Sequence, residues 1–154
     1  MDNIRLRKAK ASDQQIITKL VLQNQLNIFG LGWDNFTVAM SDDDAVVGFG
    51  QVKRHGDVDE LASLVVVDEW RGQGVSSILL NELLNRSRRP LWLMCESTLV
   101  TYYTRYGFNE VAEPAKLPAY FRNLYWLTRF AFGLVFLVRG THVAFMRLDK
   151  ENSL

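Results

Sequence analysis

The sequence predicts a single α/β domain. Segments with the apolar alternation of β-strands and segments with the apolar spacing of α-helices follow one another along the chain, which is typical of this fold class. The 154 residues suit one compact domain with a sizeable core. No linker, internal repeat or low-complexity tract divides the chain. Hydrophobic residues make up 48% of it and charged residues 23%, as in an ordinary soluble globular protein.

The first predicted elements are a strand and a helix. Residues 4–7 alternate apolar and charged side chains, as a half-buried strand does. Ser12 is the expected helix N-cap, and Gln15 would complete a capping box with it. The helix then has an apolar face at helical spacing, formed by Ile16, Ile17, Leu20 and Val21.

Three strands are predicted next. Residues 36–40 and 45–53 form two partner strands, joined by a turn at 41–44 that is rich in Ser and Asp. A second turn at 54–57 leads to a strand at 60–67. This strand carries β-branched residues on both faces at its end, which predicts burial on both sides.

The next predicted pair is a helix over 75–86 and a short strand over 91–95. The helix has apolar residues at helical spacing, and Pro90 breaks the chain before the strand. Ser97 or Thr98 can then cap a third helix.

The third helix has an aromatic face and is followed by the last strands. Gly107 and Phe108 end the helix and open a strand, and apolar alternation returns in a final strand at 141–150. The apolar face of the helix is formed by Leu99, Tyr102, Tyr103 and Tyr106.

Charge and cysteine content narrow the class of partner and the compartment. The net charge of +1 gives no overall attraction to nucleic acid or to an anionic membrane, although it does not exclude a local patch. Cys95 is the only cysteine, so no internal disulfide forms and a reducing, cytoplasmic location is expected. His55 and His142 lie far apart, and no metal-ligand spacing is present. The first ten residues lack the apolar core of a secretory signal.

A glycine-containing corner joins the strand at 60–67 to the helix at 75–86. The N-terminus of a helix carries unpaired N–H groups and a partial positive charge, and glycines let a pyrophosphate approach them. The corner is therefore either a plain strand–turn–helix connection or a phosphate cradle. It matches neither the three-glycine dinucleotide fingerprint nor the Walker loop. The cradle would be lined by Arg71, Gly72, Gln73, Gly74, Val75, Ser76 and Ser77.

This corner resembles the acetyl-CoA-binding motif of the GNAT superfamily of N-acetyltransferases. In that motif, Arg or Gln is followed three residues later by Gly and after one more residue by Gly or Ala. Arg71, Gly74 and Ser76 occupy these three positions, so Ser76 departs from the usual residue. The preceding Leu-x-Val strand corresponds to Leu64 and Val66.

A second motif agrees with the first. The stretch "TYYTRYGF" resembles the Tyr-x-x-x-Gly-Phe of the family, with Tyr103 as its tyrosine. The order of elements also fits. The resemblance implies the GNAT acyl-CoA N-acyltransferase fold, with a central mixed sheet flanked by helices, as one domain over residues 1–154.

The resemblance also implies the reaction and its co-substrate. Acetyl-CoA would donate its acetyl group by direct transfer to a primary amine, which is a protein N-terminus, a lysine or a small amine. Leu64, Val65 and Val66 would hold the pantetheine arm, and the glycine corner would hold the pyrophosphate. Asp68 stands where many members have Pro, which places an anion near this corner.

Three residues are the candidates for catalysis. The tyrosine at the position of Tyr103 faces the CoA sulfur in the family and would be the general acid; its alternative role is that of a core tyrosine. Glu60 is the candidate base, acting directly or through water, and its alternative is an exposed acidic strand end. Glu96 stands where many members have an Asn that binds the cofactor, and it would bind the amine or act as the base. Cys95 is expected to be a small buried residue rather than a nucleophile.

The segment at 118–140 is long and aromatic for a connection between the last two strands. It does not predict a membrane-spanning helix, because its longest uncharged run is 130–138 and Arg122 and Arg129 interrupt the rest. Three interpretations of the segment are open. It is an added helix that packs on the core or closes a homodimer, or it forms a wall of the acceptor pocket. The third is a helix that rests on a membrane surface. The loop at 27–33 would form the other wall of the acceptor site.

Three interpretations of the function remain open from the sequence. The first is an acetyl-CoA-dependent N-acetyltransferase. The second is a non-catalytic acyl-CoA-binding sensor or scaffold with a degenerate GNAT fold, which Ser76, Asp68 and Glu96 motivate. A third interpretation makes the segment at 118–140 the functional part of a peripheral membrane protein.

Overall fold

The computed structural model describes residues 3–149, and these divide into two compact units. The first unit comprises residues up to 53 together with 61–87, and the second comprises 54–60 together with 88 onwards. The predicted last strand extends to Lys150, which lies outside the described residues. The expectation of one domain over 1–154 stays a prediction.

The first unit is built on four strands and two helices. Their bounds are β1 (Arg5–Lys8), α1 (Gln14–Gln23), β2 (Phe36–Met40), β3 (Val46–His55), β4 (Val58–Val66) and α2 (Val75–Arg86). The strand order is β1-β2-β3-β4, and β1, β2 and β3 pair antiparallel. Strands β3 and β4 cross into the second unit at their connecting turn. Strand β2 and helix α2 have the predicted bounds.

The two faces of this part of the sheet pack against different helices. On one face, Ile17 and Val21 of α1 pack with Phe49 and Val65, and all four are buried. On the other face, Val75 and Leu79 of α2 pack with Val47 and the half-buried Leu64 and Val66. The alternation of side chains along β4 therefore buries both of its faces, as predicted.

The prediction that Ser12 is the N-cap of α1 is wrong. A 3₁₀ turn at Ala11–Asp13 precedes the helix, and Asp13 accepts the N–H of Lys10 at 2.7 Å. The Arg7 guanidinium holds the same carboxylate through bonds of 2.7 and 3.0 Å. These bonds lower the pKa of Asp13 against the opposing effect of burial. Asp13 is the residue before α1, but its side chain makes no cap bond to the helix and instead joins the 3₁₀ turn to β1.

The second unit contains the remaining strands and helices described. Their bounds are β5 (Leu91–Glu96), α3 (Val100–Thr104), β6 (Asn109–Glu110), α4 (Ala119–Arg139) and β7 (Val143–Leu148). From β4, whose first three residues belong to this unit, the strand order continues β5-β7-β6. Strand β7 pairs antiparallel with both β5 and β6. The core of the second unit is formed by Trp92, Leu117, Phe121 and Phe145.

Two elements of this unit differ from their predictions. Helix α3 has five residues and follows a 3₁₀ turn at Ser97–Leu99, so the predicted third helix is shorter than expected. Its start has no side-chain cap, and the Ser97 hydroxyl instead accepts the N–H of His142 at 3.2 Å. Helix α4 fills most of the segment at 118–140, yet Phe121 is its only fully buried residue. Packing on the core therefore accounts for the beginning of α4 but not for its length.

Candidate active site

The glycine corner lies at the start of α2 in the first unit. Gly72 and Gly74 have φ angles of 76° and 83°, which L-residues with a side chain rarely adopt. Gly74 is the residue before α2, and its carbonyl accepts the N–H of Ile78 at 3.1 Å, the first bond of the helix. The two glycines thus turn the chain from the end of β4 into the axis of α2.

The space in front of this corner is open. A Cβ built on Gly72 or Gly74 meets no heavy atom within 4 Å, and residues 71–74 are exposed. The residue before α2 is Gly74, which has no side chain that could cap the first turn. The unpaired N–H groups and the partial positive charge of a helix N-terminus favour an anion there. The corner therefore fits a phosphate group.

Arg71 holds the corner to its surroundings. Its Nε donates to the Val66 carbonyl at 3.3 Å, and its Nη2 donates to Asn24 Oδ1 at 3.1 Å and pairs with Asp68 at 2.9 Å. The Asp68 side chain is 82% exposed, so this anion points to solvent and is paired with a cation. The contact from Asn24 at the end of α1 was not predicted, because it joins residues 47 positions apart.

The strand that leads into the corner contains one residue with a left-handed backbone conformation. Ser63 has a φ of 53°, in the left-handed region, directly before Leu64. Its hydroxyl accepts from Gln51 Nε2 at 3.2 Å, and the Gln51 side chain is fully buried. Nothing in the local sequence around Ser63 indicates this conformation, since the stabilising partner lies on the neighbouring strand β3.

The other predicted binding residues differ in burial. Val65 and Val75 are buried, so only their backbone can face a ligand. Ser76 and Ser77 are half-buried in the first turn of α2. Gln73 is exposed and donates to the Glu69 carbonyl at 2.8 Å. The Val66 carbonyl accepts from Arg71 and, through its second lone pair, can still accept a bond from a pantetheine arm.

The packing of α2 against β3 depends on a glycine that the sequence analysis missed. A Cβ on Gly48 would lie 2.9 Å from the Val65 carbonyl and 3.1 Å from the Leu79 side chain. Only a glycine therefore allows this close approach. The signal was present in the sequence as two glycines, Gly48 and Gly50, inside a predicted strand.

Tyr103 is buried in the second unit. It is 9% exposed, and its ring makes edge contacts with Tyr102 at 5.1 Å and Phe108 at 6.0 Å between centroids. Burial raises the pKa of its hydroxyl above the ordinary value, and neighbours including Cys95 add to the effect. Tyr103 therefore stays protonated through the neutral range and can serve as a donor.

Glu60 belongs to a buried cluster rather than to an exposed strand end. It is 3% exposed, and its Oε2 lies 2.6 Å from His55 Nε2. The His55 ring stacks on Tyr120 with 3.7 Å between centroids, and the Tyr120 hydroxyl donates to Glu60. Burial, the Glu60 charge and this hydrogen bond raise the pKa of Tyr120 to about 12. A carboxylate held by two such partners can pass a proton to and from a histidine.

Asp59, next to Glu60, has a structural role. Arg88 donates to its carboxylate from Nη2 at 2.7 Å, from Nε at 3.1 Å and from its backbone N–H at 3.0 Å. Burial alone would raise the pKa of Asp59, but these bonds and the charges of Arg88 and Arg54 lower it. Asp59 and Glu60 are both buried, which excludes the exposed strand end that was the alternative role of Glu60.

Glu96 and Cys95 lie at the end of β5. Glu96 is exposed and is opposite Val143 in the pairing with β7. Burial first, then the charges of Glu110 and Glu96, raise the pKa of Cys95 to about 12. The Cys95 sulfur is 4.0 Å from the sulfur of Met146. A thiol with so high a pKa is not a nucleophile at neutral pH, which agrees with the expected packing role.

A surface groove of about 640 Å³ lies along α4 in the second unit. Apolar residues of α4 and β7 line it, together with polar or charged side chains that include Glu110, Thr128, Arg129, Thr141 and His142. His142 Nε2 lies 3.3 Å from Glu110 Oε1. The volume suits a small molecule, so the groove is a second candidate for ligand binding.

Two kinds of feature are not found among residues 3–149. No group of His, Cys, Asp or Glu side chains there could hold a metal ion. No helix there combines the length and hydropathy that crossing a bilayer requires.

An α/β fold with an open glycine corner at a helix N-terminus defines a class of proteins that bind phosphate-bearing molecules. Within that class, a family model described as "Acetyltransferase (GNAT) domain" matches residues 7–120, which is more than half of the chain. The chain belongs to this family, whose enzymes use acetyl-CoA as a co-substrate. The expected GNAT fold, with a central mixed sheet flanked by helices, is confirmed.

Several solved structures share the fold at low sequence identity. Rv2747 from Mycobacterium tuberculosis, in complex with CoA and NLQ, is 20% identical with a TM-score of 0.75, covering 96% of this chain and 99% of that one. N-acetylglutamate synthase from Neisseria gonorrhoeae, complexed with coenzyme A and L-arginine, is 20% identical with a TM-score of 0.71 over 96% of this chain. NAA60 from Arabidopsis thaliana, in complex with a bisubstrate analogue, is 17% identical with a TM-score of 0.59, covering 71% and 85% of the two chains.

The extent of these matches differs. This chain spans about a third of the N-acetylglutamate synthase chain, with 34% covered. No curated protein sequence is significantly similar to it.

Proposed function

We propose that this protein transfers the acetyl group of acetyl-CoA to a primary amine. The observation that carries the proposal is the open corner at Gly72 and Gly74, in front of the N-terminus of α2. Membership of the GNAT family gives this corner its expected ligand, the pyrophosphate of CoA.

The residues of the corner divide the work of holding the co-substrate. Gly72 and Gly74 leave room for the pyrophosphate beside the N–H groups of Val75, Ser76 and Ser77. Arg71 and Gln73 are exposed at its edge and add donors. The backbone of Leu64, Val65 and Val66 orients the pantetheine arm.

Tyr103 acts on the departing sulfur. When bound, acetyl-CoA supplies a thioester whose acetyl group a neutral amine can accept without a covalent enzyme intermediate. The Tyr103 hydroxyl, kept protonated by burial, donates its proton toward the sulfur as the carbon–sulfur bond breaks.

The proton lost by the amine goes to one of two carboxylates. Glu60 is supported by its cluster, because His55 and Tyr120 fix its position and offer a path for the proton. Glu96 is the alternative, because it is exposed at the end of β5 and reaches an amine without a relay. Substitution of each carboxylate separates the two assignments.

The acceptor is a protein N-terminus, a lysine or a small amine. The loop at 27–33 and the segment at 118–140 are the proposed walls of its site. With a net charge of +1, nucleic acid is not a proposed partner. The sole cysteine, unpaired and half-buried, supports a reducing compartment such as the cytoplasm.

Calorimetric titration with acetyl-CoA, followed by a CoA-release assay on a panel of amines, tests the proposal. Micromolar binding together with release for at least one class of amine is the expected result. Binding without release from protein N-termini, lysine peptides or small amines would favour the non-catalytic sensor or scaffold. Absence of binding would refute both functions.

A further inference from the structure

The second half of α4 presents a row of large apolar side chains to the surroundings. Phe130 is 83% exposed, Leu134 75% and Leu137 76%. The row also includes Trp126, Leu127 and Val138, which are 47%, 58% and 80% exposed. Clusters of this size are rare on proteins that have no partner at that surface. We call these six residues the α4 stripe.

The α4 stripe lies on one side of the helix. Its members recur at spacings of three and four residues, which places them on a common face. The rings of Trp126 and Phe130 stack side by side at 6.1 Å between centroids. The stripe spans roughly 20 Å at the rise of an α-helix.

The opposite side of α4 contacts the second unit over part of its length. Phe121 is fully buried and contacts Phe145 at 6.1 Å between ring centroids. Tyr125 contacts Phe145 as well, at 5.9 Å, and Phe136 lines the surface groove. These contacts lie mainly near the start of α4, since Phe132 and Val135, on the side opposite the stripe, are 53% and 47% exposed. Leu137, at the end of the stripe, also lines the groove, and the other stripe residues lie away from these contacts.

The charges of α4 are all of one sign. Residues 119–139 contain Arg122, Arg129 and Arg139 and no Asp or Glu. All three arginines are exposed. At 100° per residue, Arg122 and Arg129 lie within about 60° of Trp126, at one edge of the stripe. An apolar face with cations at its edge is the pattern of a helix that lies in a membrane interface.

The charge pattern distinguishes two apolar partners for the stripe, a second copy of this chain and a lipid membrane. In a second copy of this chain, α4 would bring three more arginines and no carboxylate to the interface. An anionic lipid surface supplies both an apolar layer for the stripe and phosphates for the arginines. Trp126 is of a residue type that is enriched at the membrane–water interface.

We propose that α4 docks flat on an anionic membrane surface through the stripe, with Arg122 and Arg129 contacting lipid headgroups. The helix lies on the membrane and does not cross it, in agreement with its hydropathy. The surface would hold the protein peripherally, whatever amine it acetylates.

Co-sedimentation of the full chain with vesicles tests this. Vesicles of phosphatidylserine and phosphatidylcholine in equal parts should bind the protein, and pure phosphatidylcholine vesicles should bind it much less. The triple variant Phe130→Gln, Leu134→Gln and Leu137→Gln should lose at least about tenfold in affinity. The single variants Arg122→Gln and Arg129→Gln should each lose about fivefold.

A matched control comes from exposed apolar residues of the first unit. Leu22, Ile28 and Phe29 are 56%, 55% and 74% exposed, and their triple substitution by Gln should leave vesicle binding unchanged. Because the stripe residues are exposed, their substitution should also leave the circular dichroism spectrum and the melting temperature unchanged.

Three results would overturn the proposal. The first is no binding of the intact protein to anionic vesicles. The second is equal loss of binding in the stripe variant and in the control. The third is that the intact protein is a dimer in light scattering and does not bind vesicles, whereas the stripe variant is a monomer. That result would assign the stripe to a second copy of the chain.

Discussion

Tyr103 differs from its neighbouring tyrosines in burial, and its burial makes its proposed role testable. Tyr103→Phe keeps the ring and its contacts with Tyr102 and Phe108, so the fold should survive. Removal of the proton donor should lower kcat at least about tenfold, with the dissociation constant of acetyl-CoA nearly unchanged. Tyr106→Phe, a half-buried tyrosine three residues further on, is the control. Unchanged kcat in Tyr103→Phe would leave this tyrosine with a packing role only.

The adjacent acids Asp59 and Glu60 should separate stability from catalysis. Asp59→Asn leaves the Arg88 guanidinium without its carboxylate and should lower the free energy of unfolding by about 2 kcal/mol, with kcat retained. Glu60→Gln keeps the shape of a buried residue but removes the base, so kcat should fall at least about tenfold. Urea unfolding and steady-state kinetics on both variants measure the difference. Equal kcat values in the two variants would move the role of base to Glu96.

Asp13 should make the free energy of unfolding depend on pH in the acid range. Its pKa is lowered in the folded protein, chiefly by the Arg7 hydrogen bonds, relative to an unfolded value of about 3.9. The unfolded state therefore binds the proton more tightly, so this contribution is complete above about pH 4 and is lost as the pH falls through the folded pKa. In Asp13→Asn, the free energy of unfolding should be lower at pH 7, and the difference from the native protein should shrink in acid. A difference that is constant with pH would mean that the carboxylate charge contributes nothing.

At the scale of elements, the glycine corner offers a matched pair of substitutions. Gly74 and Gly56 both have positive φ, 83° and 64°, and a Cβ on either meets no atom within 4 Å. Gly74→Gln and Gly56→Gln should therefore cost similar stability, about 1–2 kcal/mol of backbone strain each. Only Gly74→Gln places a side chain in the proposed cradle, so only this variant should lose acetyl-CoA affinity in calorimetric titration. Retained affinity in Gly74→Gln would contradict the placement of the pyrophosphate.

The elements that the sequence predicted well are those whose signals are local. Strand β2 and helix α2 have their predicted bounds because a turn or a glycine marks each start. The predicted cap of α1 and the predicted length of α3 were wrong because contacts outside each helix decide them. Asp13 bonds to Arg7 on β1, and the Ser97 hydroxyl accepts the N–H of His142.

The candidate site was likewise predictable only in part from the sequence. The glycine corner and Tyr103 belong to short motifs, so their positions could be found from the sequence. The burial of Glu60, its contact with His55 and the contact between Arg71 and Asn24 arise from tertiary packing. The exposure of the α4 stripe could not be predicted either, because apolar periodicity does not tell a core helix from a surface helix.

At the scale of the whole molecule, the two units should unfold together. The chain passes between them three times, and two of these passages fall inside β3 and β4, so neither unit is a continuous piece of sequence. We expect one calorimetric transition in which the calorimetric and van't Hoff enthalpies agree. Acetyl-CoA at about 100 times its dissociation constant should stabilise the fold by about 2.7 kcal/mol. For a chain of this length, that raises the melting temperature by about 5–10 °C. Two separate transitions, only one of them shifted by acetyl-CoA, would show that the units are independent domains and that a single-domain description is wrong.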